Sequence, residues 1–337
     1  MAPHHGRAAT GAAGGRQQAS LARRLDLRPS HVHHRPKVIE HRNGTQPGRI
    51  GDTYLFIDGN YLTRRCSDAA SAVLGERSVL PSVAAIKRKF RPDKVFYYDS
   101  VDDRPARTLE VVDGRETSRQ ETGSEAETRS ARLSAFLDRT DELDDVHVIR
   151  GTVTGRDGNR RQKEVDVRLA VDAIMHATRR NMRFALLLAG DRDFRPAVRG
   201  LVELGVNVTV LGHERVSRHL RAASDRFRVL RVDDLLSLVD PTCLSSPTPE
   251  LRVDFTRPRS DHHKPSDIVG SLVDHSGASH EVREIGRDSR FYTLQVTPGL
   301  TPDTCAYFEC ASPGSERARE IVTGMVKYQF GASPTWA

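Results

Sequence analysis

The chain predicts an α/β fold, a three-layer α/β/α arrangement around a mainly parallel sheet, with a flexible arm before it and an extension behind it. Three observations carry this. Apolar runs of strand length alternate with runs of helical period over almost all of residues 53–239, and parallel strands need crossover helices to join them. Phe184–Leu188 is an unbroken apolar run, the pattern of a strand buried on both faces. Acidic residues recur where strands end or helices begin: Phe56-Ile57-Asp58-Gly59-Asn60, Lys163-Glu164-Val165-Asp166, Ala189-Gly190-Asp191-Arg192-Asp193-Phe194, and more weakly Tyr98-Asp99.

Taken in order, Tyr54–Ile57 reads as a strand, Asn60–Val73 as a helix, and Val83–Phe90 as a helix stopped before Pro92. Lys94–Tyr98 is a strand of aromatic and β-branched residues. Ala106–Gly123 is polar with two glycines and is expected to be a loop or excursion. Glu125–Leu137 carries spaced apolar residues amid charge and suits a surface helix. Val146–Val153 is a strand, and Glu164–Thr178 keeps a 3.6-residue period. After the Phe184–Leu188 strand, Asp193–Leu204 is a helix with Pro196 in its first turn and Gly205 just past its end. Val206–Leu211, Ser217–Ala223, Phe227–Leu230 and Val232–Val239 complete the alternation as strand, helix, strand and helix.

Three regions follow: a basic, mostly disordered arm at 1–50, an α/β domain at 51–240, and a Pro-rich linker with a small C-terminal region at 241–337. The arm holds nine Arg/Lys against two Asp/Glu, so it carries the whole net charge of +7 and the remainder is formally neutral. It is either a solvated extension or a steering element for polyanions such as RNA. A short helix around Leu21–Leu27 is its one structured stretch, and His31-Val32-His33-His34 reads as a polar tract. Beyond Asp240, five prolines break 25 residues; Phe291–Val296 is strand-like and Glu316–Tyr328 helical, in a small separate domain or a partly ordered tail. No apolar run is long enough to cross a bilayer, and the N-terminus lacks the apolar stretch of a secretory signal. The expectation is a cytoplasmic protein with no membrane partner; its oligomeric state is not legible. Cys66, Cys243, Cys305 and Cys310 form no C-x-x-C pair, which excludes a zinc-finger spacing and fits reduced thiols.

In a parallel sheet, ligands sit beyond the carboxyl ends of the strands. Asp58, Asp99 and Asp191 each follow a strand and are expected at that edge. Carboxylates from separate strands supply the hard oxygens that Mg²⁺ and Mn²⁺ prefer, and such ions activate water and stabilise charge on phosphates. Each motif also has a plainer reading. Asp58-Gly59 is a turn sequence, Asn60 and Asp193 suit helix N-caps, and Asp166 in a first helical turn is favoured by the helix dipole. Asp172 lies about 240° round its helix from Asp166 and is left out of the acidic set. No G-x-x-x-x-G-K-[ST] loop is present, which excludes a P-loop NTPase. The Asp-x-Asp nucleophile of haloacid-dehalogenase-type phosphatases is also missing after the first strand.

In combination, Phe-Ile-Asp58-Gly-Asn60, Lys163-x-Val-Asp166-Val and Leu-Leu-Ala-Gly190-Asp191-Arg-Asp193-Phe194-Arg-Pro196 resemble the NYN domains of the PIN-like nuclease superfamily, including the LabA/DUF88-type proteins. The resemblance covers roughly 53–240. Family members commonly have Ser where Ala189 stands. The resemblance implies a PIN-like fold and an endoribonuclease dependent on Mg²⁺ or Mn²⁺, with RNA as substrate. Asp58, Asp166, Asp191 and Asp193 would be its catalytic and metal-binding cluster, and Asn60, Lys163 and Arg192 its contacts to RNA. Asp99 is placed behind that cluster. The alternative is a catalytically silent RNA-binding or regulatory adaptor of the same fold.

Overall fold

The computed structural model describes residues 52–112, 115–151, 163–256, 268–274, 276–285, 291–298, 305–311 and 316–336. The readings for the 1–50 arm, including Leu21–Leu27 and the histidine tract, lie outside these residues.

The chain opens with β1 (Thr53–Asp58), α1 (Gly59–Leu74), α2 (Val83–Phe90) and β2 (Lys94–Ser100). A hairpin of β3 (Arg107–Val112) and β4 (Arg115–Gln120) precedes α3 (Gly123–Asp141) and β5 (Val146–Gly151). Next come α4 (Lys163–Thr178), β6 (Phe184–Leu188), α5 (Arg195–Glu203), β7 (Asn207–Gly212), α6 (Arg218–Ala223), β8 (Arg226–Val229) and α7 (Val232–Leu236). The C-terminal part holds β9 (Leu251–Thr256), β10 (Ile268–Val273), β11 (Ser279–Ile285), β12 (Tyr292–Pro298), β13 (Cys305–Cys310), α8 (Glu316–Phe330) and β14 (Thr335–Trp336).

The first sheet has six strands in the order β5-β2-β1-β6-β7-β8, all pairs parallel. The chain builds outward from β1 through β2 to β5, then returns to lay β6 on the other flank of β1. The switch point therefore falls between β1 and β6, where an open α/β sheet forms its crevice. Alternation along β1 feeds two cores, because successive side chains point to opposite faces. Leu55 and Ile57 join Leu62, Ala69, Val73, Ile86, Phe136 and Leu235 from α1, α2, α3 and α7. Tyr54 and Phe56 join Val165, Leu169, Val198 and Leu220 from α4, α5 and α6. These are the three layers.

Two sequence expectations change. The 106–123 stretch is mostly a hairpin rather than a loop: Thr108, Val111 and Val112 favour extended backbone, and Val112 pairs with Arg115 across a two-residue gap. The helix expected from Asp193 begins two residues later at Arg195, after a 3-10 turn over Arg192–Phe194.

The second sheet is antiparallel in the order β14-β10-β11-β12-β13-β9. Its inward residues Val253, Leu272, Val282, Leu294, Val296 and Phe308 belong to the same core as Leu55 and Ile57. The region is therefore neither detached nor a tail. α8 runs antiparallel to α1: Arg317 reaches the Leu74 carbonyl at one end, and Tyr328 borders Arg65 and Tyr61 at the other. At Gly324 a methyl group would strike the Ala72 carbonyl oxygen, and Val73 Cα at 2.9 Å. Both are backbone atoms that cannot rotate away, so Gly324→Ala is expected to destabilise the whole protein by about 1–3 kcal/mol. Urea unfolding followed by circular dichroism measures it, and a wild-type midpoint would refute the close seam.

Candidate active site at the sheet switch point

Asp58 ends β1 and caps α1: its Oδ1 accepts from the Tyr61 N–H at 3.0 Å. The cap is thus Asp58 and not Asn60, which sits exposed in the first turn. Asp191 plays the same part across the switch point. It caps the 3-10 turn after β6, its Oδ1 accepting from the Asp193 N–H at 2.9 Å. Asp193 is therefore held by a cap rather than being one. Arg192 lies exposed between them. Asp166 stands in the first turn of α4, half-buried. Lys163 opens that helix, and its side chain lies outside the described residues.

Asp58 and Asp166 respond to the acids around them. Burial pushes the Asp58 carboxyl up to about 6, with Asp166 and Asp191 pushing the same way against the Tyr61 N–H. Asp166 is raised first by burial, then by Asp191 and by Asp193. The structure thus brings Asp58, Asp166, Asp191 and Asp193 to one edge. Among the described residues no three acidic, histidine or cysteine side chains converge closely enough to form a ready metal-ligand group. The donor set at this edge is all oxygen, which suits hard divalent ions over thiolate- or imidazole-seeking ones.

Asp99 packs behind this edge, as expected, but inside its strand rather than after it. The pairing of Asp58 with Tyr98 sets Gly59 beside Asp99. A methyl group on Gly59 would meet Asp99 Oδ2 at 2.5 Å and the Tyr98 carbonyl at 2.8 Å. Asp99 lies inside β2, only 3% exposed. Its Oδ1 accepts from the Ser100 N–H at 2.8 Å, yet burial and Asp58 raise its carboxyl to about 7. Sequence reasoning missed Tyr61. Its ring lies against Gly190, where a methyl group would collide with it, and its hydroxyl accepts from the His213 N–H at 3.0 Å. Gly212 leaves room for that hydroxyl, 3.0 Å from where its own Cβ would be. The two glycines, each just past a strand core, were the available signal. Asp172, left out of the acidic set, takes the Tyr98 hydroxyl at 3.2 Å and the Arg168 guanidinium at 2.9 Å.

An open parallel sheet with carboxylates gathered at its switch point defines an α/β protein of nuclease-like fold. A family model described as NYN domain matches residues 52–231, more than half the chain, and the chain belongs to that family within the PIN-like superfamily. Searches of the curated proteins and of the solved structures returned no significant match. No helix among the described residues is long and apolar enough to cross a membrane.

Asp58 and Asp99 bind protons more tightly in the fold than at the ordinary value of 3.8. Stability from them is therefore full below about pH 4 and is lost as pH rises toward 7. Without divalent ions, Asp99→Asn should gain on wild type across that window by roughly 2–4 kcal/mol. Urea titrations at pH 4 and pH 8 measure this, and an equal difference at both would contradict the buried carboxyl. Gly59→Ala should destabilise at both pH values, because it meets backbone as well as Asp99.

Proposed function

We propose that the protein is a metal-dependent endoribonuclease. The observation that carries this reading is the gathering of Asp58, Asp166, Asp191 and Asp193 at the switch point, close enough that Asp166 and Asp191 raise Asp58 and that Asp191 and Asp193 raise Asp166. A Mg²⁺ or Mn²⁺ ion there would activate a water and stabilise charge on the scissile phosphate. Asp58, Asp166 and Asp191 would hold it, with Asp193 holding a second ion or orienting the water. Asp58 and Asp191 each have an oxygen fixed by a backbone N–H, which leaves the other for an ion. Arg192, Asn60 and Lys163 border the acids in sequence and would hold the RNA backbone against them. The basic arm would add salt-sensitive, sequence-independent affinity.

Single-stranded RNA incubated with Mn²⁺ and the full chain should be cut. Asp191→Asn should cut it slower by about a hundredfold or more, since a ligand to the ion is lost. Equal cleavage by both proteins, or none by either across several RNAs, rejects the proposal. RNA binding that EDTA leaves unchanged, without cleavage, identifies the adaptor instead. Mn²⁺ should also raise the melting temperature of wild type more than that of Asp191→Asn, because an ion that binds only the folded state stabilises it.

A further inference from the structure

We propose that Gln329 and Tyr328, at the end of α8 and outside the family match, are positioning residues for the acidic edge. They brace the loop that follows β7, and that loop fixes Tyr61. The chain of contacts is continuous. Gln329 Nε2 donates to Glu214 Oε2 at 2.9 Å, across 115 residues of sequence. The Tyr328 ring meets the His213 ring edge-on, centroids 5.3 Å apart. The His213 N–H donates to the Tyr61 hydroxyl. Tyr61 packs its ring on Gly190, immediately before Asp191, and gives its own N–H to Asp58.

A plain packing role does not account for the residue at 329. It is 3% exposed in a helix seam, where leucine would fill the space without a polar cost. Burying an amide is unfavourable unless its bonds are made, and here Oε1 has no partner among the described residues. The one bond it does make is to a loop bordering the site. His213 is itself buried, with Nδ1 accepting from the Arg215 N–H at 3.2 Å, so the loop is shaped around a ring that α8 faces. Cutting the Gln329–Glu214 bond would loosen the loop at Glu214, and through it Tyr61 and the relative placement of Asp58 and Asp191.

The kinetic arm of the test rests on the ribonuclease reading; the exchange arm does not. Gln329→Ala, in the full chain, is compared with wild type by amide hydrogen exchange and by RNA cleavage in Mn²⁺. The expected result is exchange at the His213 amide faster by about tenfold, the effect of one lost buried hydrogen bond. Core amides such as Leu55 should be unchanged, with kcat lower by a similar factor at unchanged KM. The swap Gln329→Glu with Glu214→Gln reverses donor and acceptor and should restore both readings, while Gln329→Glu alone should not. Wild-type exchange at His213, or a uniform rise at every amide, overturns the proposal. If Gln329→Ala fails to fold, Glu214→Ala breaks the same bond and is read by the same criteria. If wild type cuts no RNA, the ribonuclease reading falls while exchange at His213 still decides this one.

Discussion

The crowding of carboxylates at one end of a parallel sheet is the constraint on which the rest depends. In this partly buried crevice, burial first and neighbouring carboxylates second raise the proton affinity of Asp58 and Asp166. Holding them there takes rigid supports on every side. The supports are visible: backbone N–H groups on Asp58 and Asp191, a glycine that lets Asp99 come close, and an aromatic ring wedged between β6 and β7. The switch point supplies the place, because only there do the ends of β1 and β6 part into a crevice.

Much of this was legible in the sequence. Phe184–Leu188 and Val83–Phe90 appear with the bounds their patterns give, since an unbroken apolar run and a helix stopped before a proline leave little choice. The strand-end acids were legible for the same reason: a strand's period ends where a turn residue begins. The 106–123 hairpin was not. Its strands are too polar to show a buried face, and Asp113-Gly114 between two six-residue runs is a hairpin-turn sequence easily taken as loop. The C-terminal sheet was harder still. Its strands are separated by polar, Pro- and Gly-containing connections, and they pack on α8, which in turn packs on α1, more than two hundred residues earlier in the chain.

Side-chain roles at the site divide in the same way. Asp58 and Asp191 were found from position alone. The difference between Asp191 as cap and Asp193 as capped residue rests on a 3-10 turn, which hydrophobic period does not reveal. Tyr61 looks like any helical aromatic until Gly190 and Gly212 are known to face it. Asp99 gives no local sign of being buried; that follows from its register with Gly59 across two strands. Pairwise geometry of this kind lies outside what one strand or helix can report about itself.

α1 carries obligations in two directions. Its first turn takes the Asp58 cap and supplies Tyr61, while its later turns receive α8 so closely that only glycine fits at 324. The family match ends at residue 231, yet the apolar face of α1 is completed by residues 318–326. The stretch that defines the family is therefore not a portable module in this protein. Cut free at its sequence boundary, it would present a bare hydrophobic stripe to water, an invitation to self-association. Any grafting of this acidic edge onto another chain must bring the C-terminal helix with it or replace that stripe with polar residues.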